Sequence, residues 1–136
     1  MAHAIFVALF YIFLLQFFWH LRRDVARAQA SGQAALTVVE APPDVVAAGL
    51  PIGQMLTVSN MATIGRDAEN TVVIPDEAVS ATHLRLAFRN HSWWIEDLES
   101  TNGTFINGEP VHEITRLADR DVIGCGPRVR LRLDEE

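Results

Sequence analysis

The chain is 136 residues long, the size of one modest domain, with 49% hydrophobic residues and 11 basic against 17 acidic side chains. Its charge is divided, +2 over residues 1–34 and −8 over residues 35–136, which excludes a nucleic-acid-coating domain because that needs a basic face. The single cysteine, Cys125, allows no internal disulfide and no multi-cysteine metal cluster, and fits a reducing compartment.

Between Ala2 and Leu21 every residue except His3, Gln16 and His20 is apolar, and five of the seven phenylalanines lie there. Twenty residues of helix rise about 30 Å, the thickness of a bilayer's hydrocarbon layer, so residues 1–21 are expected to form a single transmembrane helix. A cleaved signal peptide would carry its positive charge ahead of the run. Here Arg22, Arg23 and Arg27 follow it, with Trp19 as an interfacial aromatic, which places the amino terminus outside and the rest of the chain on the cytoplasmic side of the cell membrane. A buried core helix is the alternative, but no later segment is apolar enough to enclose it. Residues 22–34 read as a short juxtamembrane linker, helical in its Ala- and Arg-rich part and stopped at Ser31-Gly32.

From residue 35 onward the pattern changes to brief β-branched runs separated by turn residues. Strands are expected over 36–39, 55–58, 62–64, 71–74, 84–88, 93–95, 104–106, 115–117, 122–123 and 129–133. Ten or eleven short strands with no amphipathic helix of any length imply an all-β sandwich over residues 35–136. Asn107-Gly108 predicts a type I′ hairpin, since both central positions need positive φ. Residues 129–133 alternate apolar and Arg, the pattern of a strand with one buried face.

Four stretches stand at these strand ends. They are Gly65-Arg66, Ser80-Ala81-Thr82-His83, Asp97-Leu98-Glu99-Ser100-Thr101-Asn102-Gly103-Thr104, and Leu117-Ala118-Asp119-Arg120-Asp121-Val122-Ile123-Gly124. In that order and spacing they resemble the forkhead-associated (FHA) domain, a phosphothreonine-reading β-sandwich, with Arg120 where the family usually has Gly. The resemblance covers residues 35–134. It implies that Arg66 and Ser80 grip phosphate, that Thr101 assists and that Asn102 holds the ligand's backbone. The residue types suit phosphate recognition, because a guanidinium engages two phosphate oxygens, hydroxyls serve the remaining acceptors, and loops at one end of a rigid sandwich hold them together. Gly65 and Gly103 are expected to serve turn geometry, and His83 to brace a loop. Ala78, Ala81, Thr82 and Cys125 are candidate specificity positions. Ala81 replaces a polar or basic residue often found there in the family, which implies reduced affinity or sequence preference.

Other chemistries fit less well. Ser80, His83 and Asp97 invite a hydrolase triad, yet a Ser and a His three apart at a loop-to-strand junction do not readily present nucleophile to base, and no nucleophile elbow is visible. Five scattered histidines form no metal-ligand spacing, and no cofactor is implied. Asn90-His91-Ser92 and Asn102-Gly103-Thr104 fit the glycosylation pattern, which matters only for an extracytoplasmic domain. The expectation is a non-enzymatic, membrane-tethered adaptor of a small bacterial membrane-anchored type. Its partners would be threonine-phosphorylated proteins, either substrates of a Ser/Thr kinase or the kinase itself. The alternative is a structural scaffold whose FHA fold no longer binds phosphate.

Overall fold

The computed structural model describes residues 2–29 and 32–135, which divide into two compact units on either side of residue 31. The first is one helix, α1 (Ala2–Gln29). Its stretch Ala2–Arg22 is long and apolar enough to cross a membrane, with none of its apolar side chains buried. Helix persists past the apolar run because Ala, Arg and Gln keep favourable propensity there. Ser31, half of the expected stop, lies outside the described residues.

The second unit holds eleven strands: β1 (Gln33–Glu40), β2 (Met55–Ser59), β3 (Met61–Gly65), β4 (Val72–Val73), β5 (Leu84–Arg89), β6 (Ser92–Asp97), β7 (Thr104–Ile106), β8 (Glu109–Pro110), β9 (Thr115–Leu117), β10 (Val122–Cys125) and β11 (Val129–Glu135). They form two sheets, ordered β2-β1-β11-β10-β7-β8 and β4-β3-β5-β6-β9. Every pair is antiparallel except β3 with the two-residue edge strand β4. β11 lies between β1 and β10 and shows the expected alternation: Val129, Leu131 and Leu133 are fully buried, while Arg130 and Arg132 face outward. There Arg130 pairs with Glu40 across the strands at 3.1 Å. The core between the sheets centres on Trp93, Leu36, Ile64, Leu86, Ile95 and Ile123.

Two tight hairpins share one geometry. Asn107 and Gly108 have φ of 50° and 84°, and Ile106 pairs with Glu109 across them, as the type I′ expectation requires. Asn90 and His91, marked in the sequence only by a glycosylation pattern, have φ of 52° and 60° and join Arg89 to Ser92 in the same way.

A short helix, α2 (Pro43–Ala47), interrupts the all-β pattern between β1 and β2. Proline in its first turn costs no hydrogen bond and presets φ, and Val45 anchors the helix in the core. Five residues are too few for the periodicity that would reveal such a helix in sequence.

Candidate functional site

The loops β3–β4, β4–β5, β6–β7 and β10–β11 gather at one end of the sandwich. Between the first three lies a cleft of about 260 Å³ lined by Arg66, Glu77, Ala78, Val79, Ser80, Ala81, Thr101 and Asn102. All four expected ligand groups therefore share one surface, with two of the four candidate specificity positions. Thr82 is exposed and does not line the cleft.

Arg66, Thr101 and Asn102 are exposed and Ser80 is half-buried. Arg66 donates through Nη1 to the Glu77 carbonyl at 3.3 Å, which leaves the rest of its donor fork for a ligand. Ser80 Oγ accepts the Thr101 backbone N–H at 3.0 Å, so its hydroxyl proton is still available to donate. Asn102 donates through Nδ2 to the Ala78 carbonyl at 2.8 Å. That fixes which way the amide faces and leaves Oδ1 free to accept a peptide N–H.

Beneath this rim the loops are braced by buried polar groups. His83, fully buried, accepts the Ser80 backbone N–H on Nδ1 at 3.1 Å and meets the Gly103 carbonyl through Nε2 at 2.7 Å. Only the neutral ring with its proton on Nε2 satisfies both contacts. His83 thus bridges the β4–β5 and β6–β7 loops. Neither ring nitrogen is spent on Ser80 Oγ or Asp97, so the three do not form a hydrolase relay.

Asp97 instead organises the β6–β7 loop. Its Oδ1 accepts Ser100 Oγ at 2.5 Å and Thr104 Oγ1 at 2.6 Å, and its Oδ2 accepts the Ser100 N–H at 3.2 Å. Burial pushes the Asp97 carboxyl up, but these hydrogen bonds outweigh it and hold the group below its ordinary range.

Gly65 and Gly103 serve different needs. Gly103 has φ +87°, the left-handed turn position that was expected. Gly65 does not; there a Cβ would collide with the Ala81 carbonyl oxygen and lie 2.8 Å from Asn70 Nδ2. Its smallness lets β3 run directly under the β4–β5 loop, where Arg66 N–H donates to Ser80 O at 3.0 Å and Asp67 N–H to Ala81 O at 3.2 Å. Asn70, which no sequence motif marks, ties the same loops by donating through Nδ2 to Asp67 O at 2.9 Å and Ala81 O at 2.7 Å.

Cys125 requires a correction as a specificity position. It is the last residue of β10 and its side chain is fully buried in the core, so it has no access to a ligand. Burial pushes its thiol up to about 12. The strand's in-out alternation turns it inward, and the residue of that segment that meets the ligand loops is its neighbour Gly126. Among the described residues, no group of three or more His, Cys, Asp or Glu could hold a metal ion.

Comparison with known proteins agrees with this geometry. Residues 62–126 match the family model described as FHA domain. FhaB of Mycobacterium tuberculosis is 38% identical over 74 residues, which are 54% of this chain and 48% of FhaB. The glycogen accumulation regulator GarA of the same organism is 31% identical over 107 residues, 74% of this chain and 65% of GarA. The chain thus spans about half the length of the first of these relatives and under two thirds of the second. Among solved structures, the FHA domain of FhaA in complex with the intracellular domain of Rv3910 superposes with a TM-score of 0.60 at 28% identity, covering 74% of this chain and 98% of that one.

Proposed function

The chain carries an FHA domain, and on that premise we propose that it is a membrane-tethered adaptor that brings threonine-phosphorylated proteins to the cytoplasmic face of the membrane. One observation carries the reading: Arg66, Ser80, Thr101 and Asn102 converge on a single cleft, each with hydrogen-bonding capacity left for a ligand. A related FHA domain solved with an intracellular protein domain supports a protein rather than a small molecule as the partner. The partners would be substrates of a Ser/Thr kinase or the kinase itself. The scaffold alternative, an FHA fold without phosphate binding, sits poorly with four ligand groups in place; only Ala81 favours it.

Tethering rests on the apolar stretch of α1 and on the three arginines that follow it. Holding the domain at the bilayer would raise its effective concentration towards membrane-bound partners without adding a contact.

Titration of the protein with one threonine peptide, phosphorylated and unphosphorylated, tests the binding reading. Saturable binding of the phosphorylated form alone is expected, and equal binding of both overturns the assignment. For topology, protease added to intact spheroplasts should spare the domain and digest it only after the membrane is opened. Digestion from outside would reverse the orientation.

A further inference from the structure

Among the described residues Asp76 is the only buried carboxylate, 1% exposed, and it lies in the β4–β5 loop that carries Ser80. Its Oδ1 accepts the Ala78 N–H at 3.1 Å and its backbone carbonyl accepts the Val79 N–H at 3.0 Å. Its Oδ2 is buried and accepts no hydrogen bond. Facing it is Arg128 Nε at 3.6 Å, within ion-pair reach but beyond a hydrogen bond. Arg128 arrives on the β10–β11 turn, which presses on the same loop at Gly126. That residue has φ +68°, donates its N–H to Gly103 O at 3.0 Å, and has room for a Cβ only 3.0 Å from Ala78 O. Through Nη2 the same arginine also holds both oxygens of Asp44 on α2, at 2.6 Å.

We propose that Asp76 and Arg128 are positioning residues for the phosphothreonine cleft, a buried carboxylate and its counter-ion that together set the β4–β5 loop beneath Ser80 and Asn102. The inference rests on the function proposed above and deepens it. A neutral side chain could cap the Ala78 N–H equally well, so the carboxylate brings an added desolvation cost, and among the described residues Arg128 is the cation placed to offset it. With Arg128 gone, Oδ2 is a buried, unpaired charge, and the loop must open to let water reach it. Movement there is transmitted directly: Asp76 holds the Ala78 N–H, the Ala78 carbonyl holds Asn102 Nδ2, and Ser80 lies two residues further on.

The test is a double-mutant cycle on the full-length protein in detergent micelles, read by isothermal titration with one phosphothreonine peptide. Arg128→Ala should weaken binding roughly tenfold, the range expected for one broken member of a coupled network. Arg128→Lys should restore most of it, because Asp76 Oδ2 needs a nearby charge and shares no fork geometry with the guanidinium. In an Asp76→Asn background, where the buried charge is already removed, Arg128→Ala should cost less than about twofold. Asp44→Asn should leave affinity unchanged. A tenfold loss that persists in the Asp76→Asn background, or that Asp44→Asn reproduces, would overturn the proposal and assign the effect to α2 or to general destabilisation. Hydrogen exchange at the Ala78 amide of the ligand-free protein is the second readout. It should quicken in Arg128→Ala and not in Asp44→Asn, and it decides the positioning role even if wild type binds no phosphopeptide; unchanged exchange in Arg128→Ala overturns it.

Discussion

Arg66, Thr101 and Asn102 stand exposed at the rim of the cleft, whereas His83, in the same motif as Ser80, and Thr104, in the same motif as Thr101 and Asn102, are buried beneath it. At the rim Arg66 and Asn102 each donate one side-chain hydrogen bond to the loops and keep capacity in reserve. At His83 and Asp97 beneath it that capacity is largely spent: both His83 nitrogens are engaged, and Asp97 accepts three hydrogen bonds. The contrast separates two kinds of contribution. On the proposed function, rim side chains would supply ligand energy at little cost to folding, while floor side chains would hold the loops in place and act on the ligand only through geometry.

Replacing Arg66 is the strongest test of that separation. Arg66→Ala should weaken phosphopeptide binding by about 100-fold or more, since a bidentate guanidinium–phosphate contact is among the strongest hydrogen-bonding arrangements. The melting temperature should stay at the wild-type value, because the side chain is exposed and gives up one contact to Glu77 O. Arg66→Lys should not restore binding, because an ammonium lacks the planar fork. This contrasts with the rescue expected from lysine at position 128. A large fall in melting temperature would show that rim and floor cannot be separated.

His83→Ala probes the opposite region. It strips a partner from the Ser80 N–H and from the Gly103 carbonyl at a fully buried position, and should cost roughly 2–4 kcal/mol of stability. Urea unfolding measures it, and binding should fall as a secondary effect. A wild-type unfolding midpoint would remove His83 from the floor.

How far these regions are legible in the sequence follows from the same contrast. Strands are readable from β-branched runs, and the Asn107-Gly108 hairpin from its turn chemistry. The equivalent turn at Asn90-His91 is not, because the recognised type I′ pair ends in glycine and histidine stands in that place. Rim residues can be proposed because each lies within a short motif at a strand end. Floor partners cannot: Asn70 reaches Ala81, 11 residues on, and Asp76 meets Arg128 from a distant strand turn, which no local spacing encodes. Cys125 misleads because a Gly-Cys-Gly segment suggests a loop, while strand pairing with Thr104 carries it into the core. Gly65 is a supporting residue as expected, but through space rather than turn geometry, so Gly65→Ala should cost roughly 1–3 kcal/mol by displacing the Ala81 backbone. Thermal unfolding checks this, and an unshifted melting temperature would show that the loop can give way freely.

Acid should reveal Asp97. Burial opposes its ionisation, but the hydrogen bonds from Ser100 and Thr104 prevail and its folded pKa lies below the ordinary value of 3.8. A depressed pKa means stability that is fully present above the unfolded-state value and is lost as pH falls through the folded one. The loss should therefore appear below about pH 4. Asp44 and Asp134 are also depressed, Asp44 first by its hydrogen bond with Arg128 and Asp134 first by that with Arg132, and they titrate in the same window. The diagnostic is thus the difference between wild type and Asp97→Asn in urea unfolding from pH 6 to pH 2.5. The variant should be less stable at neutral pH, with the gap narrowing in acid; a constant gap would mean that charge at Asp97 does not hold the loop.

The smallest effect concerns the choice between phosphothreonine and phosphoserine, which differ by one methyl group. Burying a methyl is worth roughly 0.8 kcal/mol, a factor of about four in affinity. The apolar surface on offer is modest, mainly Ala78 and Ala81 along the cleft, so burial alone should not exceed that factor. A second contribution comes from the ligand: the β-branch restricts χ1 and can hold the phosphate towards Arg66 and Ser80, whereas phosphoserine must give up more rotamer freedom on binding. Because the rim groups are already tied to the loops, most of the ordering on binding falls on the peptide, and the restriction should count nearly in full. Discrimination well above fourfold is therefore expected from matched peptides in one titration series. Equal affinities would mean that the methyl finds no apolar contact and that the rim reads phosphate alone. Glutamate in place of phosphothreonine should fail in either case, since a planar group of single charge cannot engage Arg66 and Ser80 as a tetrahedral group of nearly two charges does.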